Sequence, residues 1–188
     1  IGEEGVVLLK NDNNVLPIDL GKTKTIAVIG ENAIKAMTVG GGSSSLKVAK
    51  EVSPLEGLQN RVGDKAEIIY ARGYVGDVNT SYNGVDSGQN LVDNRSEEVL
   101  IAEAVEAARR ADVVLVFGGL NKASHQDCED SDRYGLELPY AQDRLMAALA
   151  EATDNLVFVN ISGNAVAMPW VESVPAIVQG WFLGSEAG

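Results

Sequence analysis

Residues 112–118 have the sequence Asp-Val-Val-Leu-Val-Phe-Gly, an apolar run that a charged residue opens and a glycine closes. Such a run is typical of a parallel strand that is covered on both faces of its sheet. Similar short apolar runs recur along the chain, separated by segments with helical periodicity. They predict further strands near residues 25–30, 66–71, 155–160 and 176–181.

The segments between these strands carry helix-start signals. Residues 53–56, Ser-Pro-Leu-Glu, combine an N-cap, a first-turn proline and a capping-box glutamate. Residues 94–110 have an apolar stripe of period 3.6, with Asn94 and Glu97 as the expected cap pair. A third helix is predicted over about 140–151. Alternating strands and helices predict the α/β class: a doubly wound, mostly parallel sheet with helices on both faces, an α/β sandwich.

Composition limits the classes of protein and partner. At 188 residues the chain is predicted to form a single domain, residues 1–188. Its 45% hydrophobic content and mean hydropathy near zero are ordinary for a globular protein. The formal net charge of −12 argues against nucleic acid or an anionic membrane surface as partner. No apolar run approaches the roughly 20 residues of a membrane span, so no membrane-spanning segment is expected.

The main candidate for a functional site is the acidic loop, residues 119–139, which follows the strand at 112–118. It places four carboxylates within residues 127–132, next to Arg133, together with the only histidine and the only cysteine of the chain. A loop after a parallel strand lies at the carboxyl edge of the sheet, where open α/β folds bind their ligands. Crowding raises the pKa of one carboxyl among several, which a general acid needs. The alternative is a solvated acidic loop without function.

Other motifs give weaker signals. Residues 40–45, Gly-Gly-Gly-Ser-Ser-Ser, lack both phosphate-binding glycine patterns, so a loop lining a neutral polar ligand is favoured over nucleotide binding. The spacing in the acidic loop matches neither a zinc nor a calcium site, and neither a metal nor a cofactor is expected. Residues 73–93 predict a long polar loop of a kind that is often functional. Trp170 and Trp181 could stack on a sugar ring, although packing is the commoner fate of single tryptophans.

Several motifs follow one another in order from one end of the chain to the other. They are Val6-Val-Leu-Leu-Lys-Asn11 with Leu16-Pro17, Ile26-Ala-Val-Ile-Gly-x-Asn-Ala33, Ala111-Asp-Val-Val-Leu-Val-Phe117, Glu129-x-x-Asp-Arg133 with Leu136-x-Leu-Pro139, Ser162-Gly163 with Met168-Pro-Trp170, and Trp181-x-x-Gly184-x-Glu-x-Gly188. As an ordered set they resemble the second domain of glycoside hydrolase family 3, whose typical members are β-glucosidases and their relatives.

The resemblance implies a retaining glycosidase that acts on a β-linked glucoside, xyloside or similar carbohydrate. In that family an N-terminal barrel carries the aspartate nucleophile, and a loop of the α/β sandwich supplies the acid/base carboxylate. A retaining mechanism needs the two carboxyl groups about 5–5.5 Å apart. The resemblance therefore makes the barrel domain of the same chain an expected partner in one shared active site.

The family pattern around this loop, Glu-x-Glu-Gly-x-Asp-Arg, implies roles for individual residues. Glu129 falls on its second glutamate and is the acid/base candidate, whereas Asp127 falls on the first and is the runner-up. Asp130 replaces the usual glycine, which either raises the pKa of Glu129 or alters the turn of the loop. Asp132 and Arg133 are expected to pair with each other and to hold the loop in shape.

The resemblance extends to the glycine-rich loop and to the limits of the chain. Gly41, Gly42, Ser43 and Ser44 are expected to line the mouth of the site and to bind substrate. The chain stops at Gly184-Ser-Glu-Ala-Gly188, where another helix is predicted to begin. We therefore expect a piece excised from a larger two- or three-domain enzyme, truncated at its C-terminal end and inactive alone. A periplasmic or extracellular location is favoured over a cytoplasmic one. The alternative is a non-catalytic carbohydrate-binding or interface module of α/β type.

Overall fold

The computed structural model describes residues 2–76 and 88–188. In this part of the chain the strands are β1 (Val7–Asn11), β2 (Thr25–Ile29), β3 (Glu67–Ala71), β4 (Val113–Gly119), β5 (Leu156–Ile161) and β6 (Ala176–Gln179). The α-helices are α1 (Gly2–Gly5), α2 (Pro54–Val62), α3 (Glu97–Arg109) and α4 (Gln142–Ala152), with short 3₁₀ turns at Asp12–Asn14, Glu31–Ala33, Gly63–Lys65, Val171–Ser173 and Gly184–Glu186.

The strands form one sheet in the order β1-β6-β5-β4-β2-β3. All neighbouring pairs are parallel except β1 and β6, which are antiparallel. Every residue of β4 is buried, because helices cover both faces of the sheet centre. Ala104 of α3 and Leu145 of α4 belong to the core on one face, and Val62 of α2 belongs to the core on the other. The predicted doubly wound, mostly parallel α/β sandwich is confirmed.

Side-chain caps mark the starts of α2 and α3, and two of the helix predictions from the sequence are wrong. Ser53 accepts a hydrogen bond from the backbone N–H of Glu56 at 3.2 Å, as its capping signature predicted. The predicted start of α3 at Asn94 is wrong: Ser96 is the N-cap and accepts from the N–H of Val99. Where a helix was expected after Gly184, the structure has a 3₁₀ turn. None of the helices in the described part has both the length and the apolar character that a membrane crossing requires.

The strand order determines where a ligand can bind. From β2 the chain crosses to the edge strand β3, whereas from β4 it crosses in the opposite direction to β5. The loops that leave β2 and β4 therefore diverge at the carboxyl edge, which is the usual ligand position in such folds. The acidic loop follows β4, and the glycine-rich loop lies between β2 and α2. Of the long loop predicted over 73–93, residues 77–87 lie outside the described residues.

Candidate active site

The acidic loop and the glycine-rich loop, residues 40–45, bind each other at the carboxyl edge of the sheet. The N–H of Gly41 donates to the carbonyl oxygen of Lys122 at 3.1 Å, and the N–H of Glu129 donates to the carbonyl oxygen of Gly41 at 3.2 Å. The N–H of Ser43 donates to the carboxylate Oε2 of Glu129 at 2.6 Å. These backbone contacts fix Glu129 against the glycine-rich loop.

Gly42 permits this close approach. Its φ is +94°, and a Cβ added there would lie 2.4 Å from the Cβ of Glu129 and 2.5 Å from its Oε2. Any other residue would therefore displace the glutamate as well as adopt an unfavourable backbone conformation. Of the four residues expected to line the mouth, Ser44 lines the adjoining cleft, and the other three contact Glu129 or the acidic loop.

Glu129 is exposed, and its hydrogen bond with Ser43 favours the ionised form of its carboxyl group. The hydrogen bond from Ser43 lowers the pKa of Glu129 below its ordinary value, because the donor favours the charged carboxylate. The expectation that Asp130 raises this pKa is not met. Asp130 instead has a φ of +61°, in the left-handed region. Aspartate is one of the few residues other than glycine that adopts this region readily, so its backbone here is one that a glycine could also adopt.

Asp127 has a different environment, although it lies only two residues away. Its Oδ2 accepts a hydrogen bond from the N–H of Gly163 at 2.7 Å, and its Oδ1 accepts one from the side-chain amide of Asn164. Both donors lie after β5, so the Asp127 carboxylate connects the acidic loop to the next loop along the sheet. Its oxygens are engaged in positioning that loop.

Arg133 also holds the loop, but not through the expected partner. Its guanidinium donates to the carbonyl oxygens of Ala165 at 2.6 Å and Glu137 at 3.4 Å. Among the described residues no ion pair joins Arg133 to Asp132, so the predicted pairing is wrong. The planar guanidinium of Arg133 donates to two backbone carbonyls instead of to the carboxylate of Asp132. The backbone carbonyl of Asp132 lies 3.1 Å from Nδ1 of His125.

These loops border an open cleft of about 840 Å³ beside Glu129. Its lining includes three residues that sequence reasoning missed: Lys122, Tyr134 and Phe182. The ammonium of Lys122 lies 5.8 Å from the centre of the Phe182 ring, and burial lowers the pKa of this lysine. Tyr134 is a bulky aromatic within a charged loop, which is the sequence signal that could have identified it.

The two tryptophans do not line this cleft. Trp170 is 6% exposed and packs edge-on against Phe158, with its ring N–H on Asp143. Trp181 donates its ring N–H to the carbonyl oxygen of Gly5. Within residues 2–76 and 88–188 no group of three or more His, Cys, Asp or Glu side chains is arranged to hold a metal ion.

Comparison with known proteins supplies the family. The sequence profile of the Glycosyl hydrolase family 3 C-terminal domain matches residues 6–188. The chain belongs to glycoside hydrolase family 3. This family assignment confirms the resemblance seen in the ordered motifs, and it agrees with the α/β fold.

Similar proteins are much longer than this chain. The beta-glucosidase BoGH3A of Bacteroides ovatus is 45% identical over 193 residues, covering 100% of this chain and 25% of that protein. The periplasmic beta-glucosidase of Salmonella typhimurium is 38% identical over 100% of this chain and 25% of its own length. The crystal structure of the family 3 beta-glucosidase of Bifidobacterium adolescentis superposes with a TM-score of 0.77 at 34% identity, covering 100% of this chain and 24% of that one. This family 3 chain thus spans about a quarter of the length of the relatives it matches.

Proposed function

We propose that this family 3 domain supplies the acid/base loop of a retaining β-glycosidase, with Glu129 as the acid/base residue. The supporting observation is the fixed position of the Glu129 carboxylate beside a cleft of about 840 Å³. The substrate is a β-linked glucoside, xyloside or similar carbohydrate, and the nucleophile is an aspartate of a barrel domain in the same enzyme.

In this proposal Glu129 acts twice. As an acid it gives a proton to the glycosidic oxygen while the nucleophile attacks the anomeric carbon. As a base it then removes a proton from the water that releases the sugar. The first step needs a protonated carboxyl group, whereas the Ser43 N–H favours the ionised one. A negatively charged nucleophile nearby, together with exclusion of water when substrate fills the cleft, raises the pKa of Glu129 in the assembled site.

Asp127 is the weaker candidate for this role. Both of its carboxylate oxygens accept hydrogen bonds from residues after β5, which leaves it poorly placed to exchange protons with a substrate. Glu129 has one oxygen bound by Ser43 and is otherwise exposed beside the cleft. We therefore assign Asp127 to positioning the loop, as we do Arg133.

The alternative function is a non-catalytic carbohydrate-binding or interface module whose loop has diverged. Asp130 in place of the family's usual glycine gives this alternative mild support. That support weakens because Asp130 has the φ of +61° that a glycine would adopt without strain. We also propose a periplasmic or extracellular location, since the Salmonella relative is named as periplasmic.

Substitutions in the full-length enzyme test the assignment. A general acid matters most when the leaving group is poor, because proton transfer then offsets the largest developing charge. We expect Glu129→Ala to lose far more activity on an alkyl glycoside than on a dinitrophenyl glycoside of the same sugar. Asp127→Ala, the matched control in the same loop, should lose similar activity on both. If Asp127→Ala shows the selective loss on the alkyl glycoside and Glu129→Ala does not, then Asp127 is the acid/base residue and Glu129 positions the loop.

The domain alone provides a second test. Without the nucleophile no covalent glycosyl-enzyme intermediate forms, so we expect the 188-residue piece to be inactive on aryl β-glycosides. Turnover by the purified piece above that of its Glu129→Ala variant would contradict the division of the site between two domains.

A further inference from the structure

Three consecutive glycines form the first half of the glycine-rich loop. Gly40, Gly41 and Gly42 all have positive φ, between +81° and +99°. Glycine adopts this conformation without strain, but it loses more conformational freedom on folding than any other residue. Because glycine also has no side chain that could pack, hydrogen bonds have to keep the loop in the conformation that places the N–H of Ser43 on Glu129.

The loop is closed at its base by its own residues. The N–H of Gly40 donates to the hydroxyl of Ser45 at 3.0 Å, and the N–H of Leu46 donates to the carbonyl oxygen of Thr38 at 2.9 Å. Thr38 is buried, whereas Ser43 at the other end of the loop is exposed. The loop is therefore attached to the domain at Thr38, and a contact that fixes Thr38 also fixes the loop.

Glu51 makes such a contact. Its carboxylate accepts hydrogen bonds from three donors: the backbone N–H of Met37, the backbone N–H of Thr38 at 3.2 Å, and the hydroxyl of Thr38. Hydrogen bonds to an ionised acceptor are about twice as strong as those between neutral groups. Both Met37 and Thr38 are buried, so water is a poor substitute for this acceptor.

Glu51 is itself fixed to the body of the domain. The next residue, Val52, donates its N–H to the carbonyl oxygen of Ser185 at 2.8 Å and accepts a hydrogen bond from the N–H of Gly188 at 2.9 Å. Ser53 then caps α2. The carboxylate of Glu51 therefore connects an anchored segment to the buried end of the glycine-rich loop.

We propose that Glu51 is a positioning residue for the acid/base carboxylate and acts through the glycine-rich loop. Without its three hydrogen bonds the chain at Met37 and Thr38 is released, and the N–H of Ser43 no longer holds Glu129 in one place. Glu51 is not among the described residues that line the cleft, so it affects the reaction only through the loop. This inference rests on the proposed glycosidase function.

The test uses the full-length enzyme and Glu51→Gln. Glutamine has nearly the same shape, but an NH₂ group that cannot accept a hydrogen bond replaces one carboxylate oxygen. Loss of a hydrogen bond to a charged acceptor shifts an equilibrium by about 10-fold or more, so we expect kcat on a methyl β-glycoside to fall by about 10-fold. The loss should be much smaller on the dinitrophenyl glycoside of the same sugar, which needs little acid assistance.

Glu56→Gln is the matched control. The carboxylate of Glu56 pairs with Lys50 at the surface, at 2.9 Å. This variant should match wild type on both glycosides. A substitution that only weakens the fold lowers the amount of active enzyme, and it therefore lowers both activities by the same factor.

Amide hydrogen exchange measures the loop independently of catalysis. We expect faster exchange over residues 37–46 in Glu51→Gln than in wild type or in Glu56→Gln. A selective loss of activity without faster exchange in this segment would show that the loop does not carry the effect, and it would overturn the inference.

Thr38 offers a second pair of variants, which carries the test if Glu51→Gln does not fold. Thr38→Val keeps the shape of the side chain but removes the hydroxyl that donates to Glu51, so it should show the same selective loss in weaker form. Thr38→Ser keeps the hydroxyl and should restore activity on the methyl glycoside. A Thr38→Ser variant as impaired as Thr38→Val would contradict the role of this hydrogen bond.

The outcomes separate this inference from the function on which it rests. A wild-type enzyme that cleaves no alkyl or aryl β-glycoside removes the proposed function, and the positioning role of Glu51 with it. If the wild type is active and Glu51→Gln loses the same factor on both glycosides, or loses nothing, only the role of Glu51 is overturned.

Discussion

Replacing Gly42 by alanine tests whether the glycine-rich loop sets the position of Glu129. The new Cβ would lie 2.4 Å from the Cβ of Glu129, so the two atoms must separate by about 1 Å to reach an ordinary contact of 3.4 Å. A 1 Å misplacement of a catalytic group costs on the order of 100-fold in rate. The positive φ of Gly42 adds a backbone cost of about 1–2 kcal/mol.

We therefore expect full-length Gly42→Ala to lose about 100-fold in kcat on an alkyl glycoside, and much less on a dinitrophenyl glycoside that needs little acid assistance. Initial-rate kinetics on both substrates give the comparison. Gly63→Ala is the control: Gly63 also has positive φ, but no atom lies within 4 Å of its added Cβ. Gly63→Ala should lose stability without this selective loss of activity. If Gly42→Ala matches Gly63→Ala on both substrates, the reasoning about Glu129 is refuted.

Three further predictions concern the stability of the domain. Asp127→Ala should lower the free energy of unfolding by about 0.5–1.5 kcal/mol, since it removes exposed hydrogen bonds from Gly163 and Asn164 that water replaces only in part; an unchanged denaturation midpoint would contradict this. Glu31→Gln should cost about 3–5 kcal/mol by urea denaturation, because Glu31 is 1% exposed and pairs with the buried Lys35 and the partly buried Arg72. Glu97→Gln, in an exposed pair with Arg144, should cost at most about 1 kcal/mol. Two backbone N–H groups lower the pKa of Asp112, so its stabilisation is present above the ordinary aspartate pKa and is lost as pH falls through the lowered value. Asp112→Ala should be less stable than wild type at pH 7 and converge with it in acid, and a difference independent of pH would be inconsistent with this origin.

The strands were predictable because their apolar runs are continuous and well separated. The run at 112–118 corresponds to β4, Val113–Gly119, in which every residue is buried. The start of α3 was less predictable, since Asn94 and Ser96 are both good N-cap residues. The backbone decides between them: Ser96 has the extended conformation of an N-cap and accepts the bond from Val99.

The position of the acidic loop followed from the fold, but its contacts did not. A loop after β4 had to lie at the carboxyl edge of a parallel sheet, and it does. The contact between Ser43 and Glu129 involves a backbone N–H, which every residue except proline carries, so it leaves no trace in the sequence. The same holds for the carbonyls that bind Arg133, which is why a pair with Asp132 was predicted instead.

The most direct test of Glu129 as the acid/base residue is to analyse the product that full-length Glu129→Ala forms in the presence of azide. Under the proposed function, the nucleophile of the barrel still forms the covalent intermediate from a dinitrophenyl glycoside in this variant, but no base activates water, so the intermediate accumulates. Azide needs no base and attacks the anomeric carbon from the face that water would use. We predict faster turnover with added azide and a β-glycosyl azide product by NMR. If azide leaves turnover unchanged and only free sugar forms, or if Asp127→Ala gives the azide product instead, Glu129 is not the acid/base residue.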